Sequence, residues 1–259
     1  MSLQSELPSY KHPPVDEVVC GIRFEPLMEL RVPHIGLLWS RFRDEYPETQ
    51  HAPAIPTEAS ILVDETTGVP LPRVWFISKT DSELIQFQLD RFYYNWRHRA
   101  EEYPRYHSII EKFEKAKREL DSFVDEVKIG SITIVECELS YINQIPREQA
   151  FKDLSDLSKL LLDFTWHNEK HSFLPCPTNV AWQARFALPN GRGSLNVKLN
   201  EAIRKSDSAP IMRLELSAKS SKGETDLRSW FDLAHEWIVR GFADLTTPEA
   251  QSTLWKREI

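Results

Sequence analysis

The stretch SITIVECELSYIN, Ser131 to Asn143, decides how the chain is read, because it restarts an element order already met once upstream. Within it Val135, Cys137, Leu139 and Tyr141 alternate with Glu136, Glu138 and Ser140, the period of two that a half-buried strand requires. Ile132 and Ile134 fall on the opposite parity, which predicts a bulge near Ile134. Near the start of the chain, Val18, Cys20, Ile22 and Phe24 alternate in the same way with Val19, Gly21, Arg23 and Glu25. Helical spacing follows each strand: Ile35, Leu38, Trp39 and Phe42 after the first, and Leu154, Leu157, Leu161 and Phe164, within a helix predicted over 147–164, after the second.

Outward from these two anchors the remaining elements fall into a matching order. In the first half a proline-rich connection over His51 to Pro56 leads to three short strands at 60–64, 73–79 and 83–89, with a hairpin turn at Thr80 to Ser82. A long helical stretch comes next, broken near Tyr103-Pro104, in which Ile109, Phe113, Ala116, Leu120 and Phe123 repeat at heptad-like steps. In the second half three strands fit 179–188, 193–199 and 211–218, and Asn190-Gly191 between the first two suits a type I′ turn, since both residues tolerate positive φ. A last helix opens at Thr225 or Asp226, carries Leu227, Trp230, Phe231, Ala234, Ile238 and Phe242 on one stripe, and stops at Pro248.

This reads as β-α-β-β-β-α twice: an α+β fold of mostly antiparallel sheets with helices packed on one face. The boundary falls near Asp125, giving units 1–125 and 126–259 that could pack as one continuous domain. The repeat is one of element order and not of residue identity.

Composition narrows the function classes. A formal charge of -7 argues against a general affinity for nucleic acid or anionic membrane. Met1 to Pro14 has no apolar core of signal-peptide length, and no later apolar run approaches the ~18 residues of a membrane span, so the chain is expected to be cytoplasmic and off the membrane. Cys20, Cys137 and Cys176 are an odd number at wide spacing, which fits buried reduced thiols and neither a disulfide framework nor a metal knuckle. Only eight glycines are present, too few to favour a phosphate-cradling loop, and no nucleotide, metalloprotease or serine-hydrolase motif occurs. No cofactor is expected.

Tyr10, Pro13, Pro14, Glu17 and Val18, then Gln86, Arg91, Phe92, Asn95 and Trp96, then Tyr141-Ile142-Asn143, and finally the helix ending at Phe242 together resemble a sporadically distributed family of uncharacterised bacterial proteins with no known activity. The resemblance implies a bacterial origin and patchy inheritance of the kind seen in mobile-element, antitoxin and phage-defence genes. It brings no catalytic residues.

Two surfaces are candidates for binding. Asp90 to Arg99 interleaves Tyr93, Tyr94 and Trp96 with Arg91, Arg97 and Arg99 around Asn95, a composition that would let rings stack on bases while arginines hold phosphates. The plainer reading of that segment is the start of a helix, with its rings in the core, its arginines snorkelling and Asn95 capping or hydrogen-bonded. If the apolar parity of each strand faces the helices, the other face carries Gln86, Gln88, Glu136, Glu138, Gln183, Arg185, Asn196, Lys198 and Arg213 as one polar platform. Paired arginine and amide groups there favour a protein partner, with nucleic acid or a nucleotide at 91–99 as the alternative. His167, Glu169 and His171, and separately Asp232, His235 and Glu236, have spacings that could serve a metal or acid–base site in an unrecognised hydrolase, though each also fits an exposed turn or solvated helix flank. The heptad-like stripe around Phe113 could also make a homodimer.

Overall fold

A computed structural model describes residues 6–55, 71–100, 102–150, 154–164, 173, 177–204 and 206–259. In chain order its elements are β1 (Val15–Phe24), α1 (Val32–Phe42), β2 (Glu48–Ala52), β3 (Arg73–Ile77), β4 (Glu83–Gln88), β5 (Arg91–Arg97), α2 (Arg105–Val127), β6 (Ile134–Pro146), α3 (Arg147–Ala150), β7 (Ala181–Ala187), β8 (Gly193–Ile203), β9 (Pro210–Ser220), α4 (Leu227–Leu245) and α5 (Pro248–Thr253). The strands hydrogen-bond in the order β2-β3-β4-β5-β1-β6-β9-β8-β7. The ladders β1–β5, β2–β3, β3–β4, β4–β5 and β7–β8 are all antiparallel. A mostly antiparallel sheet with helices is an α+β fold. Its packing divides the chain into two compact units, one of Glu17–Leu139 with Ser220–Phe231, the other of Met1–Asp16, Ser140–Lys219 and Asp232–Ile259.

In the first of these, β1 and β5 pair so that Val18, Cys20 and Ile22 stand opposite Trp96, Tyr94 and Phe92, all buried on one face. Helices α1 and α2 pack on each other, with α1 against β3 and α2 against β5. The inner stripe of α2 is Ile109, Phe113, Ala116, Leu120 and Phe123, as its spacing dictates, and every one is buried. Each large side chain there contributes roughly 1.5 to 3 kcal/mol by leaving water. Phe113 meets the ring of Phe231 at 5.2 Å, so the stripe offered for a homodimer is buried within the chain.

In the second, α4 lies over β8 and β9, where a Cβ on Gly241 would come within 3.3 Å of Leu195 and 3.6 Å of Leu216. Near the two chain ends the backbone of Lys11 donates to Lys256 and that of His12 to Trp255, both at 3.1 Å, while Tyr10 packs edge-on against Phe242 and Trp255. Contact packing therefore joins residues 6–16 to the C-terminal segment.

Several elements differ from the sequence reading. Residues 91–97 form strand β5, not the start of a helix, and α2 opens only at Arg105. β2 occupies the start of the segment read as a connection. Of the helix expected over 147–164, the described residues form α3 and a 3₁₀ turn at Leu154–Lys159 and are not helical over 160–164, in a stretch whose serines and aspartates compete with the helical backbone for hydrogen bonds. α4 ends at Leu245, and Pro248 opens α5 instead of stopping α4, with the Thr247 hydroxyl capping the new helix. Ile134 opens β6 half-buried and in step with the alternation of Val135, Cys137 and Leu139, so the burial pattern does not show the bulge expected there. The strand expected at 60–64 lies outside the described residues. Two positive-φ residues, Asn190 and Gly191, do turn the chain between β7 and β8.

Candidate functional site

The polar face of β7 and β8 is the open part of the expected platform. The register sets Gln183 directly opposite Lys198 and Arg185 directly opposite Asn196, while Trp182 and Phe186 point to the other face opposite Leu199 and Leu195. Gln183, Arg185 and Lys198 are exposed. Among the described residues neither Arg185 nor Lys198 makes an ion pair, in a chain whose net charge is -7. On β9, by contrast, Arg213 is held by Glu215 at 2.9 Å. Ser217 is buried, shares a hydrogen bond of 2.7 Å with Ser140, and its carbonyl accepts from Asn196 at 3.4 Å. β7 is also the last strand in the sheet order, so among the described residues one of its edges has no strand beside it. Cationic and amide groups beside such an edge can grip an extended acidic segment of another protein.

In the other unit the same parity gives a closed face. Gln86 and Gln88 are 8% and 1% exposed, so they form no part of a solvent-facing platform. Gln88 uses its amide as a strand would, accepting from Ile55 N–H at 2.8 Å and donating to Ile55 C=O at 2.9 Å. Its Nε2 also donates to Asp90 at 3.0 Å. A second relay runs from Gln86 Nε2 to Asn95 Oδ1 at 2.8 Å and from Asn95 Nδ2 to Glu17 Oε1 at 2.6 Å. Satisfied buried networks of this kind fix one arrangement of strands.

The aromatic and basic segment is placed alongside. Tyr93, Tyr94 and Trp96 are all buried, so their faces are unavailable to a stacking base. Tyr93 lies across Gly21 on β1, and its hydroxyl sits 3.4 Å from both Arg91 Nη1 and Glu138 Oε2. Burial, then the Glu138 charge, pushes the Tyr93 hydroxyl up, so it stays protonated. Arg97 and Arg99 both bond Asp81, the positive-φ residue of the β3–β4 hairpin. Arg91 is mostly buried beside Asp90, 3.6 Å away.

Among the described residues Asp232, His235 and Glu236 do not gather as a metal-binding group. His235 Nδ1 shares a hydrogen bond of 3.2 Å with the Tyr141 hydroxyl, Asp232 is exposed, and Glu236 accepts from Arg240 at 2.8 Å. Among the described residues no three His, Cys, Asp or Glu side chains gather to hold a metal ion. His167, Glu169, His171 and Cys176 lie outside those residues. Cys20 and Cys137 are buried free thiols. Among the described residues no helix is long and apolar enough to cross a membrane.

The sequence reading missed Glu17, Asp81 and Asp90 as partners of the 86–99 segment, and Arg73 and Trp75 as neighbours on the same face. Strand parity over 73–79 would have placed the last two there, since Trp75 stands opposite Gln86. No signal of comparable strength marks the three acids.

No protein-family model matches the chain, and no curated protein matches it. Among solved structures, the crystal structure of DynU16, described as a protein in the dynemicin biosynthetic locus, is similar over 88% of this chain and 98% of its own. The two are 11% identical, with a TM-score of 0.28, a likeness too low to carry fold or function.

Proposed function

We propose that this chain is a non-catalytic binding protein that recognises a protein partner through the polar face of β7 and β8, in a bacterial mobile-element, antitoxin or phage-defence setting. The observation that carries the reading is the pair of exposed cations, Arg185 and Lys198, which make no ion pair among the described residues and are displayed with Gln183 beside a strand edge that no described strand covers. A partner suited to that face offers acidic side chains on an extended segment. Binding would then weaken as salt screens the contact.

The test is native mass spectrometry of the protein purified gently from its host, run beside an Arg185→Glu, Lys198→Glu variant that retains the wild-type unfolding transition. A stoichiometric protein partner that the double variant loses supports the reading. Co-purified RNA, a nucleotide or a metal in place of protein, or a partner retained by the double variant, overturns it.

A further inference from the structure

One row of the closed face is unusual in its charge. Arg23 of β1 and Arg91 of β5 are direct cross-strand partners, and Arg91 in turn stands opposite Gln88 of β4. Val74 pairs with Phe87, so Arg73, one residue earlier on β3, takes the next place in the row after Gln88. The row therefore reads Arg73, Gln88, Arg91, Arg23. Side chains directly opposite on neighbouring strands are close enough to interact, and like charges placed so are unfavourable.

Compensation along this row is uneven: the Asp90 charge acts on both Arg91 and Arg23 and that of Glu138 on Arg91, whereas no carboxylate acts on Arg73 among the described residues. Asp90 lies 3.6 Å from Arg91, but its carboxylate also accepts from Gln88 and is itself almost fully buried. Among the described residues neither Arg23 nor Arg73 has a carboxylate within ion-pair distance. Arg73 lies instead over the ring of Trp75, 5.5 Å from its centroid. Arg73 Nε and Trp75 Nε1 are buried N–H donors with no hydrogen-bond partner among the described residues. Burial lowers the Arg73 pKa and the nearby Arg91 charge adds to that, with Tyr93 opposing. Buried donors are nearly always satisfied in folded proteins, so two orphans in one cluster point to a missing acceptor.

We propose that this row is a binding site for a small oxyanion of the phosphate class, held by the guanidinium groups of Arg73, Arg91 and Arg23, with the Trp75 indole N–H as a further donor. A phosphate oxygen supplies the acceptors that Arg73 and Trp75 lack and relieves the repulsion between neighbouring arginines. Free phosphate and the phosphate of a monoester share this chemistry. None of its residues belongs to β7 or β8.

Isothermal titration of the full chain with inorganic phosphate, and separately with ribose 5-phosphate, at constant ionic strength tests the assignment. Chloride and acetate serve as controls. Saturable binding is expected, weakened about tenfold or more by Arg73→Gln and measurably by Trp75→Phe, which keeps the ring under Arg73 but removes the donor. Circular dichroism of both variants should match wild type. Tighter binding of the ester would identify a phosphorylated metabolite as the source, and equal or weaker binding would identify free phosphate. No saturation by either probe at 10 mM or below, binding equally strong in both folded variants, or binding lost in Arg185→Gln, Lys198→Gln would overturn the proposal.

Discussion

A methyl group at position 21 would sit inside the ring of Tyr93, which crosses the backbone there. Gly21→Ala is therefore expected to cost about 1 to 3 kcal/mol by overpacking, read as a lower urea midpoint at unchanged slope. The cost should shrink in a Tyr93→Ser background, and an equal cost in both would assign it to the backbone of β1. His235 makes a second prediction at this scale. Enclosure beside Tyr141 lowers its pKa to about 4, with Asp232 pulling the other way. An unfolded histidine titrates near ~6.5, so as pH falls the unfolded chain takes up this proton first. The contribution of His235 is thus complete above pH ~6.5 and drains away toward pH 4, at no more than about 1.4 kcal/mol per pH unit. His235→Gln should flatten that part of the stability profile, and a variant that keeps the wild-type slope would trace it to another group.

Elements were legible where one face is wet and one is dry. β1, β6, β8 and α2 announce themselves through period, and Asn190-Gly191 through its turn chemistry. β5 was misread because both its faces are buried: Phe92, Tyr93, Tyr94, Asn95 and Trp96 leave no polar alternation to betray a strand, although aromatic residues favour one. β2 was missed for the opposite reason, since Glu48 to Gln50 and His51 are exposed and show no apolar parity. Parity placed Gln183, Arg185 and Lys198 on one face of β7 and β8, but it could not reveal that Gln86 and Gln88 are buried, because their partners Asn95 and Ile55 lie elsewhere in the chain. Two glycines test the element assignments. Gly36 lies within α1 with open space where a Cβ would stand, so Gly36→Ala should raise stability by about 0.5 to 1 kcal/mol. Gly191 also has open space but a φ of +68°, so Gly191→Ala should lower it by about 1 to 2 kcal/mol. Thermal unfolding of the two variants should move in opposite directions, and a shared direction would contradict one backbone assignment.

At the scale of the whole molecule, chain order and packing diverge. Ser9, Lys11 and His12 bond the backbone of Glu258, Lys256 and Trp255, pairings that no local pattern reveals. A fragment of residues 126–259 lacks Tyr10, which packs on both Phe242 and Trp255, and should show poorly dispersed amide resonances and no cooperative transition. An independently folded fragment would instead support a boundary near Asp125. The closed face of β4 and β5 leaves the open face of β7 and β8 as the surface through which this account has the molecule act. Hydrogen exchange on the complex with its co-purified protein partner tests that most directly. The account predicts slowed exchange concentrated in the amides of 181–187 and the adjoining part of β8, with β5 unchanged. Protection confined to 91–99, or none in β7, would contradict it.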